Sequence, residues 1–130
     1  MAVKLTSSIT FLYFDDLSAA KKFFTDVLGL KTVYDPGWAA VYALGPKSFI
    51  GAVATASGSI DVPCRGGVLI SLTVKNIEEV QDKFAKLGLK DLSPIEAIED
   101  IHLRSFFFTG PEGYKFEVQQ FTKDELSELF

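Results

Sequence analysis

Apolar and polar positions follow the same order twice along the chain. In the first half, an apolar strand at Ile9–Phe14 precedes apolar residues at helical spacing over Leu17–Leu28. In the second half, a strand at Val68–Val74 precedes apolar residues at the same spacing over Ile77–Leu87. Because self-similarity at a fixed offset, here about sixty residues, marks a repeated unit, we predict two copies of one module.

The predicted helices begin and end at residues suited to those places. Asp16 and Asn76 precede the first two helices, where a side-chain oxygen can accept from the free backbone N–H groups. Glu79 follows Asn76 at capping-box spacing, and Thr122 with Glu125 repeats the pattern at a third, C-terminal helix. A glycine follows each of the first two helices, which favours a left-handed cap.

Three strand-like runs separated by turn residues follow each of these helices, so each half is predicted as βαβββ. The runs are 31–34, 39–44 and 49–54 in the first half, and 95–98, 103–109 and 115–121 in the second. The fold class is therefore α+β, with two tandem modules forming a cupped mixed sheet around a cavity and a short C-terminal helix. We expect one domain over residues 1–130, with module 1 at about 5–56, module 2 at about 66–121 and the helix at 122–130.

Composition narrows the classes of partner. Apolar residues make up 48% of the chain and aromatic residues 13%, which suits a large core or an aromatic-lined cavity. A formal charge of −4 without a dense basic run argues against nucleic acid. The apolar stretch before Asp15 is too brief for a signal peptide or a membrane span, and the single cysteine, Cys64, suits a reducing compartment. We expect a cytoplasmic protein with no membrane or nucleic-acid partner.

Strand alternation predicts a polar face on central strands of the second module. Ser71 and Thr73 share one face of the strand before the second helix, and Glu117 and Gln119 share one face of the last strand. The corresponding face of the first module is apolar and includes Phe11 and Tyr13 in its first strand. A polar face away from the helix, beside an apolar one, is the composition expected of an amphipathic ligand cavity.

The chain resembles the vicinal oxygen chelate superfamily, which includes glyoxalases, bleomycin-resistance proteins and extradiol dioxygenases. The resemblance rests on Asp-Leu-Ser-Ala-Ala at 16–20 with Phe-Phe-Thr-Asp-Val-Leu-Gly-Leu at 23–30. It also rests on Arg-Ser-Phe-Phe-Phe at 104–108 with Gly-Pro-Glu-Gly-Tyr-Lys-Phe-Glu at 110–117. It implies a cavity between two cupped sheets, often completed by dimerisation, and in the family's enzymes a divalent metal held by the first and last strands of both modules.

The ligand positions that the resemblance implies are mostly apolar here. They fall on Ile9, on Leu69, on the stretch Ile50–Ala52 and on Glu117, of which only the last can bind a metal. Because metal sites need three or more protein ligands, we predict no metal and no cofactor.

Several further residues are candidates for ligand binding. Glu117 could orient a ligand's cation or act as a base, and it could equally be an exposed or ion-paired carboxylate. Arg104 could pair with Glu117 or bind an anion, although a structural ion pair is the commoner outcome. His102, beside Glu99 and Asp100, could join a makeshift metal or acid–base cluster but more often has a surface or hydrogen-bonding role. The aromatic candidates for stacking walls, each also a plausible core residue, are Phe11, Tyr13, Trp38, Tyr42 and Phe106.

These features favour a metal-free small-molecule-binding protein, a homodimer that sequesters an aromatic or antibiotic-like ligand. One alternative is a lyase, isomerase or dioxygenase-like enzyme that uses Glu117 with or without a divalent metal. The other is an interaction module whose cavity is filled by phenylalanine side chains.

Overall fold

The computed structural model describes residues 2–130, which form two compact units that meet in sequence between Cys64 and Arg65. Each unit contains one four-stranded mixed sheet, and the order βαβββ occurs in both. The predicted α+β class and its two modules are therefore confirmed. No helix within residues 2–130 is long and apolar enough to cross a membrane.

The first unit has the strand order β1-β4-β3-β2, with β1 parallel to β4 and the other neighbours antiparallel. Its elements are β1 (Ser8–Phe14), α1 (Leu17–Lys22), β2 (Thr32–Tyr34), β3 (Ala39–Ala43) and β4 (Ser48–Ala54).

The second unit repeats this arrangement as β5-β8-β7-β6, with β5 parallel to β8, and adds a terminal helix. Its elements are β5 (Leu69–Thr73), α2 (Ile77–Leu87), β6 (Glu96–Ile98), β7 (Leu103–Thr109), β8 (Lys115–Phe121) and α3 (Asp124–Leu129).

One face of each sheet packs under a helix and forms a core rich in aromatic rings. In the first unit, Phe24 stacks on Tyr42 of β3 at 5.0 Å between ring centroids and meets Phe14 of β1 edge-on at 6.0 Å. In the second unit, Phe84 of α2 lies edge-on to Phe108 of β7 at 5.2 Å. The opposite face of each sheet supplies the side chains described below.

The helix ends differ in part from the sequence prediction. Asp16 caps α1 as predicted, because its carboxylate accepts from the backbone N–H of Ala19 at 3.0 Å. Asn76 precedes α2 as its N-cap residue, as predicted, but the expected side-chain cap is wrong, since the side chain makes no bond to the backbone of the helix. Its amide donates instead to Glu79 at 3.0 Å. The capping box at Thr122 is also wrong, because α3 begins later and no side chain caps it.

The first helix changes character after Lys22, which the apolar spacing did not predict. Residues Phe23–Val27 form a π-helical segment, and both Phe23 and Phe24 are buried. A wider turn brings adjacent side chains onto one buried face, which suits two consecutive phenylalanines.

Candidate functional site

A concave pocket of about 260 Å³ lies on the face of the first sheet that α1 does not cover. It takes side chains from β1, β2, β3 and β4 and from the segment after β4. Apolar surface predominates in its lining, as is usual for sites that take small organic molecules. The lining residues are Phe11, Tyr13, Tyr34, Pro36, Trp38, Ala39, Val41, Val53, Gly58 and Ser59.

The rim of this pocket is held by the turn between β2 and β3. The carboxylate of Asp35 accepts from the backbone N–H of Gly37 at 2.8 Å and from Lys21 Nζ of α1 at 3.0 Å. Lys21 also donates to the carbonyl of Gly37 at 3.1 Å. These bonds, the lysine first, hold the pKa of Asp35 below its ordinary value of 3.8. The turn thereby fixes the backbone on which Tyr34 and Trp38 stand.

The floor of the pocket depends on a glycine. Phe11 of β1 lies opposite Gly51 of β4 in the parallel register, and its ring covers the glycine. A Cβ at position 51 would lie 2.4 Å from the Phe11 ring, closer than such atoms ever approach. Glycine at this position therefore lets the ring lie flat on the sheet, where it forms an apolar surface.

Tyr13 closes the pocket on the side of the segment that follows β4. Its hydroxyl oxygen accepts from the backbone N–H of Ser59 at 2.9 Å, and Gly58 packs directly against its ring. Val62 lies on the small cluster of Tyr13, Ala39 and Val53. The segment between the two predicted modules therefore supplies one wall of the pocket.

The second sheet carries the predicted polar row on its open face. Ser71 of β5 faces Glu117 of β8 and donates its hydroxyl hydrogen to the carboxylate. One row further, Gln119 donates its side-chain amide to the hydroxyl of Thr73 at 3.0 Å. The structure thus brings together the four polar candidates that strand alternation selected.

Three of the predicted site residues lie on the helix-covered faces, away from both groups described above. Tyr42 is buried beneath Phe24 in the first core, where burial raises the pKa of its hydroxyl. Phe106 is buried next to Phe84 of α2. Arg104 shares the face of Phe106 and pairs with Glu78 of α2. For these residues, the structure shows packing and ion pairing in place of the predicted ligand contact.

The residues at the metal-ligand positions that the family resemblance implies do not fit a metal ion in this chain. The register pairs Phe11 with Gly51 in the first sheet where it pairs Ser71 with Glu117 in the second. A phenyl ring over a glycine therefore replaces an oxygen donor pair. Ile9 and Leu69, one row away on each sheet, are exposed aliphatic side chains with no donor atom. A single carboxylate is too few ligands for a resident divalent cation.

The makeshift cluster considered around His102 does not form. His102 follows a short 3₁₀ turn at Glu99–Ile101 in a left-handed conformation. Within residues 2–130, no three His, Cys, Asp or Glu side chains come together as a possible metal site. Cys64 is an exposed free thiol.

Several residues of the pocket were not predicted from the sequence. Tyr34, Pro36, Val53 and Ser59 line it but were not singled out. The Asp-Pro-Gly turn at 35–37 was a usable signal, because a tight turn between two strands brings the residues on either side of it together.

Two units of order βαβββ, each with a helix on one face of its sheet, define a protein built from two copies of one module. A family model for the Glyoxalase/Bleomycin resistance protein/Dioxygenase superfamily matches residues 7–118. The chain therefore belongs to that superfamily, as its motifs indicated. A search of curated proteins found no match.

Solved structures with the same fold have diverse descriptions. A lactoylglutathione lyase from Agrobacterium tumefaciens is 21% identical with a TM-score of 0.69, over 86% of this chain and 90% of that one. The fosfomycin resistance protein FosX from Listeria monocytogenes is 19% identical with a TM-score of 0.72, over 96% and 98%. TioX from Micromonospora sp. ML1 is 18% identical with a TM-score of 0.72, over 88% and 98%. At these identities the likeness establishes the fold alone.

Proposed function

We propose that this chain is a metal-free small-molecule-binding protein that holds a planar aromatic ligand in the pocket of its first unit. The observation that carries the proposal is the exposure of three large rings around one hollow. Phe11 is 44% exposed, Trp38 53% and Tyr34 65%. Apolar rings that cluster on a protein surface are unfavourable in contact with water unless a partner covers them. Such a cluster therefore marks a binding surface.

The chemistry of the pocket sets the class of ligand. Its volume of about 260 Å³ suits a molecule of one or two fused rings rather than a large glycopeptide. Offset or edge-on stacking against Trp38 and Tyr34 supplies affinity beyond area burial, on the order of 1 kcal/mol for each ring pair. An antibiotic-like aromatic compound that the protein sequesters is one such ligand.

Fluorescence of Trp38 tests the proposal directly, because it is the chain's one tryptophan and it lies in the pocket. A panel of planar aromatic compounds should include members that quench or shift this emission with saturation. The same compounds should raise the melting temperature. The stabilisation amounts to roughly 2.7 kcal/mol at a ligand concentration of one hundred times Kd.

Matched variants locate the binding. Tyr34→Ala removes a ring of the pocket and should weaken binding about fivefold, since one ring pair is worth on the order of 1 kcal/mol. Val33→Ala, its exposed neighbour in β2 that does not line the pocket, should leave affinity unchanged. A panel without saturable binders, or equal losses in the two variants, would sink the proposal.

The metal-free part of the proposal rests on the donor set, in which only Glu117 of the four family positions can ligate. Elemental analysis of protein purified without chelators should find divalent metal well below one ion per chain. Stoichiometric metal that survives dialysis would contradict this part.

We also propose that the chain forms a homodimer in the cytoplasm. β1 and β5 are edge strands of their sheets, and Ile9 and Leu69 expose aliphatic surface on them. An edge strand offers backbone groups with which another chain can pair. A second copy would cover both. Sedimentation velocity should give the dimer mass, and Leu69→Lys should shift the distribution toward monomer. A monomer at every concentration would contradict the dimer.

A further inference from the structure

Glu117 is a nearly buried carboxylate with no ion-pair partner in the part of the chain that the structure describes. Only 8% of the residue is exposed, and its contact within residues 2–130 is the hydroxyl of Ser71. No lysine or arginine of that range forms an ion pair with it. A charge withdrawn from water without a partner opposes folding, so its presence calls for an explanation outside packing.

Two basic residues of the second sheet, Arg104 and Lys115, contact groups other than Glu117. Arg104, the partner considered from the sequence, lies on the other face and pairs with Glu78. Lys115 shares the face of Glu117, but its ammonium donates to Thr109 at 2.7 Å and lies 3.6 Å from Asp91. The open face is therefore negative at Glu117, and neither of these cations neutralises it.

The neighbours of Glu117 on this face suit an organic cation. Phe107 of β7 lies directly opposite it in the antiparallel register and is 41% exposed, so an apolar ring is accessible next to the carboxylate. Ser105, two residues earlier on the same face, is 2% exposed, and its hydroxyl has no hydrogen-bond partner within residues 2–130. An ammonium group can donate to the Glu117 carboxylate while its apolar portion covers the ring.

We propose that the open face of the second sheet is a binding site for protonated primary amines, with Glu117 as the counter-ion and Phe107 as the apolar contact. The ligand class is a small arylalkylammonium. The site stands on the second unit alone and does not depend on the aromatic pocket of the first, so either can fail without the other.

Amide NMR tests the site with residue resolution. Phenethylammonium chloride, titrated at pH 7 and constant ionic strength, should shift the amide resonances of Ser71, Phe107 and Glu117 along one saturating curve. Its uncharged analogue 2-phenylethanol should bind there about tenfold more weakly or worse, because it lacks the charge-assisted bond. Ammonium chloride alone should leave these resonances in place, because it carries no group for the ring.

Variants separate recognition from structure. Glu117→Gln keeps the size and the acceptor for Ser71 but removes the charge, so amine binding should fall about tenfold or more while the unliganded protein becomes no less stable. Glu128→Gln, the same change at an exposed carboxylate in α3, should bind the amine normally. Equal binding of phenethylammonium and 2-phenylethanol, or retained amine binding in Glu117→Gln, would overturn the proposal. So would the absence of saturable shifts at these residues. Trp38 emission with neutral aromatic ligands reports the first pocket separately.

Discussion

Gly51 gives the sharpest test of how the aromatic pocket is built. In Gly51→Ala the added methyl would lie 2.4 and 2.5 Å from two atoms of the Phe11 ring, so the ring must leave its place. The backbone carbonyl of Ala40 is 3.3 Å away and leaves little room for the methyl to evade the clash. Because Phe11 is already partly exposed, the ring can swing outward and the sheet need not break.

The expected cost follows from the surface that the ring gives up. A fully buried phenylalanine covers roughly 200 Å². Somewhat more than half of Phe11 is covered. That area is about 100 Å², which at ~25 cal/mol per Å² is worth up to about 2.5 kcal/mol. Partial re-packing lowers the loss to roughly 1–2 kcal/mol. For a chain of this length that lowers the melting temperature by roughly 3–5 °C per kcal/mol.

Gly45→Ala supplies the control, because nothing lies within 4 Å of the place its new methyl would occupy and its φ is not left-handed. It should be neutral or slightly stabilising, since alanine restricts the unfolded chain. Denaturant unfolding and Trp38 fluorescence titration should show Gly51→Ala less stable than this control and several-fold weaker in ligand binding. In a Phe11→Ala background, the Gly51→Ala change should cost almost nothing. Equal stability and affinity of the two glycine variants would refute the argument.

Three other changes have clear expected outcomes. Tyr42→Ala removes a buried ring and should destabilise the fold by about 3–5 kcal/mol in denaturant unfolding, against little for Tyr42→Phe, whereas a pocket role would leave stability intact. Arg104→Gln should cost at most about 1 kcal/mol and leave ligand binding unchanged in the same titrations, because its ion pair is half exposed. The pKa of Asp35 is depressed in the folded state, chiefly by Lys21, so the turn it holds is fully stabilised above the ordinary value of 3.8 and loses that contribution as pH falls through the depressed value. Trp38 emission should therefore be constant from pH 7 to about pH 5 and change only in more acidic solution, and Asp35→Asn should remove that acid transition.

The order of helices and strands could be predicted because the spacing of apolar residues and the positions of the capping and turn residues indicate the same boundaries. Apolar spacing changes from two to about three and a half residues at Asp16 and again at Asn76, and glycine ends both helices. The polar row was also predictable, since β8 alternates from Lys115 to Gln119 and places Glu117 on the face away from Phe116.

On strands that are apolar on both faces, the sequence does not show which face of the sheet a residue occupies. In β3 the sequence Ala-Ala-Val-Tyr-Ala gives alternation nothing to distinguish, so Tyr42 could be placed on either side. Its position is decided by stacking on Phe24, a contact between distant parts of the chain. Arg104 is similar, because the choice between Glu78 and Glu117 depends on where α2 lies. The pocket wall at Ser59 depends on one hydrogen bond to Tyr13, and no local sequence pattern predicts that bond.

The two modules differ in chemistry at one pair of facing strand positions. Phe11 with Gly51 and Ser71 with Glu117 occupy the same row of their respective sheets, so a shared framework offers an apolar surface in one and a charge in the other. This pairing also explains why a single substitution would not restore a metal donor to the first sheet. Glutamate at position 51 would meet the ring of Phe11 at its first side-chain carbon, so Phe11 would have to shrink before the carboxylate could be accommodated. The ring of Phe11 can occupy its place only because position 51 is glycine. Both residues together therefore make this part of the first sheet an apolar surface that has no metal donor.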